Sequence, residues 1–250
     1  MSFTDEAIIL DARAHGETHA IVNLFTREHG RCAGLVHGGQ GRRMRPLLQP
    51  GNEVAAEWRG RDGSLGHFSL ELTRARAAEA LNDRLSLGGL GAACAVALAV
   101  LPEREAHPRS YAGLTVLLDH LSDADIWPAL MARWELGMLA DLGFGLTLDR
   151  CASTGSREDL IYVSPRSACA VSKEAGAPYK DKMLPLPGFL KNAGASAQGA
   201  DALDGLATTG YFLETRILHI TDKPLPEARR RVLQMLLETE GLRTGDANSL

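Results

Sequence analysis

The strongest constraint on this chain is the spacing of short apolar runs in its first eighty residues. Ala7–Leu10, Ala20–Phe25, Cys32–Val36, Glu53–Trp58 and Gly66–Leu72 each have the length of a strand. Between them stand His15-Gly16-Glu17-Thr18, Glu28-His29-Gly30 and Gly60-Arg61-Asp62-Gly63. Short runs at roughly ten-residue spacing with glycine-rich breaks predict an all-β barrel or sandwich. Asp62-Gly63 between two such runs is a hairpin signal, because both residues tolerate the backbone a tight turn requires.

From about Asn82 the period changes. Arg84–Leu101 is rich in Ala and Leu and stops at Pro102; Gly88, Gly89 and Gly91 weaken its first half as a helix. Ser110–Leu121 and Asp125–Leu142 follow. In the latter, Ile126, Leu130, Trp134, Met138 and Leu142 fall at i, i+4 steps and predict one packed stripe. Residues 143–190 lose helical periodicity. Asp201–Ile220 and Pro226–Gly241 regain it, with Pro226 suited to a first turn and Gly241 to a stop. Thr244–Leu250 reads as a frayed tail.

A chain of 250 residues can build one or two domains with substantial cores. The expected division is a barrel over residues 1–80 and a helical domain over 81–250, with an irregular insertion at about 145–190. The opening MSFTDEAIILDAR has neither the basic nor the apolar segment of a secretory signal. The longest apolar run, within Ala92–Leu101, is about half a membrane span. Cys32, Cys94, Cys151 and Cys169 are too scattered for a disulfide framework and suit a reducing cytosol.

Charge is distributed unevenly. The whole chain carries −4, so bulk charge offers nothing to a polyanion. Across Arg31–Arg76, however, Arg31, Arg42, Arg43, Arg45, Arg59, Arg61, Arg74 and Arg76 face only Glu53, Glu57, Asp62 and Glu71 (8 − 4 = +4). Arginine favours two-pronged phosphate contact. The sharpest spot is Gly38-Gly39-Gln40-Gly41-Arg42-Arg43-Met44-Arg45, where glycines allow close approach and three guanidiniums arrive together. The competing reading is a solvated flexible loop. Among aromatics, Trp58 and Phe68 occupy strand positions that could stack bases, while Phe25 reads as core. A second basic cluster, Arg229-Arg230-Arg231, begins the last helical segment.

Enzyme signatures are missing. His15-Gly16-Glu17-Thr18-His19 has its glutamate misplaced for a zinc protease. No phosphate-binding loop or nucleophile elbow occurs. The rivals to a nucleic-acid module are a metal-dependent hydrolase using His15 and His19, and a structural adaptor whose arginines serve solubility. Cys151 and Cys169 stand where a zinc ribbon would need two close pairs, so zinc is not expected.

The ordered set of motifs resembles the RecO family of bacterial recombination mediators. The N-terminal match runs through Ala7–Leu10, Gly16-Glu17-Thr18, Leu24–Gly30, Val36-His37-Gly38-Gly39 with Arg42, Arg43 and Arg45, and Leu48-Gln49-Pro50-Gly51. Leu142-Gly143-Phe144 leading to Leu148–Cys151, then Phe212-Leu213-Glu214, Lys223-Pro224-Leu225 and Arg229–Val232, continue it. The resemblance implies an α+β multidomain protein: an OB-fold barrel, then a helical body with a degenerate zinc-ribbon-like insertion. It implies binding of single- and double-stranded DNA, strand annealing, and loading of RecA onto DNA coated with the single-strand-binding protein SSB. Implied partners are RecR and the SSB C-terminal tail, with no membrane, in the cytoplasm at the nucleoid. Carried onto this sequence, DNA contact falls to Arg42, Arg43 and Arg45, then Arg59, Arg61, Arg74 and Arg76. The SSB tail falls to Arg216, Arg230 and Arg231. Cys151 and Cys169 become remnants of an incomplete site. An OB-fold RNA-binding protein without a recombination role is the alternative.

Overall fold

The computed structural model describes residues 1–61, 63–192, 194–197 and 199–247, with side chains up to residue 241. Two compact units divide it. One comprises Met1–Ser122 with Pro226–Arg229; the other runs over Asp123–Leu225 and resumes at Arg230.

The first unit is built on β1 (Ser2–His15), β2 (His19–Thr26), β3 (Gly30–Val36), β4 (Glu53–Arg59) and β5 (His67–Arg74). They close a barrel in the order β1-β2-β3-β5-β4, an OB-fold. All neighbouring pairs are antiparallel except β3 with β5. Alternation decides which side chains enter it. Ile9, Val22, Leu24, Cys32, Val54, Ala56, Trp58 and Phe68 fill the interior. Ile8 and Phe25, paired across β1 and β2, are also fully buried, so the barrel wall is covered there. The covering elements are α2 (Arg84–Val100) and α3 (Pro108–Asp119), which follow a short α1 (Arg76–Ala80). Tyr111 of α3 meets Phe25 edge-on at 5.4 Å, and the Cys94 thiol of α2 lies 3.7 Å from the Ile9 carbonyl.

Two sequence expectations are revised here. Helix α2 runs unbroken through Gly88, Gly89 and Gly91. Its capping bond, from Ser86 N–H to the Asp83 carboxylate at 2.7 Å, and its buried face outweigh the glycine penalty. Trp58 and Phe68 are 2% and 4% exposed, inside the barrel. They cannot stack on a nucleobase, and the Arg104 guanidinium lies over the Trp58 ring at 4.8 Å. Asp62 of the Asp62-Gly63 hairpin signal lies outside the described residues.

The second unit pairs α4 (Trp127–Asp141) with α7 (Gly199–Phe212). The buried face of α4 is wider than the expected stripe and rotated from it: Trp134 and Met138 of that stripe are buried, Trp127, Met131 and Glu135 are fully buried beside them, and Ile126 is 44% exposed. Glu135 accepts a hydrogen bond from the Thr209 hydroxyl of α7 at 2.5 Å, which gives a carboxylate a place in that face. Between the two helices lies a small sheet ordered β7-β6-β8, from β6 (Leu160–Val163), β7 (Ala170–Ser172) and β8 (Leu184–Pro185). Short helices α5 (Lys173–Gly176) and α6 (Gly188–Lys191) flank β8. Past Phe212 the chain widens through a π turn and then tightens through a 3-10 turn to Thr221. The last helix, α8 (Glu227–Ala247), passes straight through Gly241, where a stop was expected. The end of the tail, residues 248–250, lies outside the described residues.

Candidate nucleic-acid interface

The segment between β3 and β4 was open to two readings, a ligand loop or a floppy one. It is a folded loop. Its middle is a helical turn, with Arg45 N–H donating to the Gly41 carbonyl at 3.1 Å and Leu48 N–H to Met44 at 2.9 Å. Gln40 ties it to the β1–β2 turn: its backbone N–H donates to Thr18 at 3.1 Å and its side-chain amide to Gly16 at 3.3 Å. Asn52, buried at the far end, donates to the carbonyls of Pro46 and Leu47 and accepts from Ala77 N–H, all within 3.0 Å. Gly51 sits at φ +88, where a Cβ would strike Leu90; only glycine fits that approach. Asn52 and Gln40 were not singled out from the sequence. The Gln-Pro-Gly-Asn stretch ending at Asn52 was the available signal.

On this frame Arg42, Arg43 and Arg45 are exposed, and none of them pairs with a carboxylate among the described residues. Arg13 of β1 joins them. A groove of about 140 Å³ is lined by Arg13, Arg45, Gln40 and Gln49 with Ala12, Ala14 and Ala20. Two guanidiniums line this shallow opening, where they can face a phosphate; the amides hold the loop, Gln40 donating to Gly16 and Gln49 to the Arg45 carbonyl at 3.0 Å.

The remaining arginines divide. Arg61 is exposed in the β4–β5 connection and forms no ion pair with a described residue. Arg59 is exposed but bound to Glu57 at 2.6 Å, so it brings little net charge. Arg74 reaches Glu79 at 2.9 Å and Asp119 at 2.6 Å. Arg76 is 3% exposed and holds Glu53 at 2.5 Å and Asp119 at 2.9 Å. The Arg74 bond holds the Glu79 carboxyl below its ordinary range. Burial alone would raise Asp119, but its bonds to Arg74 and Arg76 outweigh that and lower it. Both arginines therefore serve the joint between barrel and helices, and the interface is drawn without them.

The partner candidates in the helical body are also sorted. The Arg216 guanidinium is spent on the carbonyls of Pro165 and Arg166, at 3.3 and 2.8 Å. Arg230 and Arg231 are exposed, whereas Arg229 is fully buried, so the triple cluster is not one solvated face. A different surface stands out in the second unit. A groove of about 490 Å³ is lined by Leu136, Ala140, Leu146, Leu148, Leu190 and Lys191.

The insertion keeps the turns of a metal ribbon without its donors. Cys151 and Cys169 are each followed three residues later by a hydroxyl, Thr154 and Ser172. The buried Cys151 sulfur accepts from Ser172 N–H at 3.3 Å and lies 3.6 Å from the Ser172 hydroxyl. Burial pushes this thiol up, but hydrogen bonds from Thr154 and Ser172 dominate and draw it down to about 6. Backbone bonds close the ribbon: Ala152 N–H to Ala170, and Ala170 N–H to Thr147, each at 2.8 Å. Two thiols and two hydroxyls do not match a four-coordinate zinc site. Among the described residues no three His, Cys, Asp or Glu side chains converge on a metal position.

Fold and site together define a class: an OB-fold barrel with an exposed arginine loop that forms no ion pair among the described residues, followed by a helical body whose ribbon has two thiols where a zinc site would have four. The comparisons narrow it. Family models match as Recombination protein O N terminal over residues 1–76 and Recombination protein O C terminal over residues 81–225. The chain is 48% identical over 239 residues to "DNA repair protein RecO" of Phenylobacterium zucineum, covering 95% of this chain and 98% of that protein. It is 50% identical over 235 residues to the same-named protein of Methylobacterium nodulans, covering 92% and 95%. Against that of Caulobacter vibrioides it is 49% identical over 244 residues, covering 97% and 100%. The chain belongs to the recombination protein O family of DNA repair proteins. No helix among the described residues is long and apolar enough to cross a membrane.

Proposed function

We propose that this chain is a recombination mediator that binds single- and double-stranded DNA, anneals complementary strands and helps load RecA onto SSB-coated DNA. The observation that carries the reading is the loop bearing Arg42, Arg43 and Arg45. Three cations stand together on a folded frame with no acid among the described residues to neutralise them, in a chain whose total charge is −4. Guanidiniums placed this way displace counterions from one strand and reduce the repulsion a second strand meets. Base identity is then read by the incoming strand, and the protein works by binding, without a chemical step.

The reading places the protein in the cytoplasm at the nucleoid, with RecR, SSB and, functionally, RecA as partners. For the acidic, apolar SSB tail, the groove beside Lys191 offers an apolar floor of leucines, but Asp149 also lines it and the Lys191 ammonium donates to the Leu160 carbonyl at 2.6 Å, so its cation is engaged as that of Arg216 is. Arg230 and Arg231 remain candidates by exposure.

The test is annealing of complementary oligonucleotides, with and without SSB coating, across a salt series. The R42A/R43A/R45A variant is expected to lose affinity for all sequences alike. Its salt slope should be shallower by somewhat under one unit per lost phosphate contact. Unchanged binding would remove the loop as the site. A clear preference for RNA over single-stranded DNA at fixed salt would favour an RNA-binding role.

A further inference from the structure

Four of the eight histidines gather on one stretch of the barrel. They arrive there by strand register. His15 at the end of β1 pairs with His19 at the start of β2. Ala20 pairs with Val36, so the next step along the ladder sets His19 against His37, just past β3. His67 opens β5, beside Leu35 of β3 and opposite Arg59 of β4. Each neighbour in the chain, Ala20, Val36 and Phe68, points into the barrel. The imidazoles therefore point outward. His15, His37 and His67 are exposed, and His19 is half-buried.

The rings form a row rather than a cluster. His19 and His37 meet edge-on with centroids 4.9 Å apart, and His37 and His67 are tilted at 5.5 Å. His19 is held in place: its Nδ1 accepts the Gly38 N–H at 3.3 Å. That bond joins the row to the arginine loop, which starts at Gly38. At one end of the row lies the β1–β2 turn, to which Gln40 ties the same loop. At the other lies the β4–β5 connection with Arg61. Five-stranded barrels bind oligonucleotides on the β2–β3 face between these two connections. Elsewhere in this barrel the candidate stacking rings, Trp58 and Phe68, are buried.

We propose that His19, His37 and His67 are a stacking platform for the bases of single-stranded DNA whose phosphates are held by Arg42, Arg43 and Arg45. The proposal rests on the electrostatic reading above and adds what that reading lacks, a way to prefer unpaired strands. Flat imidazole faces accept any base, so the contact is indifferent to sequence. A duplex keeps its bases stacked inside and has nothing to lay on the row.

The test compares the full-length protein with the H37A/H67A variant on an oligonucleotide and its duplex at fixed salt. Both residues are exposed, and His19, which anchors the loop, is left intact; thermal melting checks the fold. Single-strand affinity is expected to fall roughly tenfold, and duplex affinity by less than about twofold. The salt slope should stay unchanged, and H37F/H67F should restore single-strand binding, because stacking needs a ring and not a charge. Equal loss on both DNAs, no loss on either, or failure of the phenylalanine pair to rescue overturns the platform. If R42A/R43A/R45A weakens binding while H37A/H67A does not, the platform falls and the electrostatic reading stands. If the unaltered protein retains neither DNA at low salt, both fall. Tighter binding of single-stranded RNA than of DNA of the same sequence would assign the row to RNA instead.

Discussion

Two groups of arginines in the first unit have the same side chain and opposite fates. Arg42, Arg43 and Arg45 stand exposed on the loop between β3 and β4, with no acid among the described residues against them. Arg74 and Arg76 stand where β5 meets α1, clasped by Glu53, Glu79 and Asp119. In sequence both groups add to one basic excess over Arg31–Arg76. In space, one is charge offered to an external anion. The other is charge already used, because Asp119 arrives from 45 positions beyond Arg74. Local charge excess is a count of residues; available charge is what remains after tertiary pairing.

The comparison can be broken most forcefully at Arg76. Replacing it with alanine removes the ion-pair partner of Glu53 and one of the two partners of Asp119, which keeps Arg74, and should destabilise the protein by about 2–3 kcal/mol in urea denaturation. The fraction that stays folded should still bind DNA normally. Weakened DNA binding by well-folded R76A would return Arg76 to the interface. R42A/R43A/R45A should do the reverse: a large loss of DNA affinity, with unfolding free energy within about 0.5 kcal/mol of the parent.

Acid sharpens the same contrast. The Glu79 and Asp119 carboxyls are held below their ordinary values. A depressed carboxylate contributes stability above its unfolded pKa, near 4, and loses it as pH falls through the lower folded value. Stability should therefore drop on acidification below about pH 4, and this drop should be shallower in R74A, measured by denaturation at stepped pH. Acid curves identical in the two proteins would contradict the network. The smallest expected change in this set concerns the ribbon. T154C/S172C supplies the two missing thiols and is expected to bind about one zinc per chain and resist heating better. Metal analysis and thermal melting with and without chelator would check it, and a metal-free double variant would mean that the turns do not bring the four positions together.

Much of the fold could be read directly. The barrel strands were legible because alternation and glycine breaks at His15–Thr18 and Glu28–Gly30 are local properties. Strand β1 proved longer than its apolar run, since Ser2–Glu6 joins the sheet through backbone bonds to β4 that leave no apolar mark. Helix α4 was found but its buried face was rotated, because Glu135 became core by gaining Thr209, a residue 74 positions away. The arginine loop was visible as composition. Its rigidity was not, since it depends on Asn52 and Gln40 bonding to distant carbonyls.

By itself, the sequence determined a β-barrel followed by helices, a net-negative chain with one basic stretch, and a ribbon lacking half its thiols. Those follow from period, count and spacing, which act between near neighbours. Tertiary structure alone decided which arginines remain unpaired, that Trp58 and Phe68 turn inward, and that four histidines from separate strands share one outer face. Ion pairing, side-chain facing and register are set by residues far apart in the chain that folding brings within a few ångströms, and no local pattern encodes them.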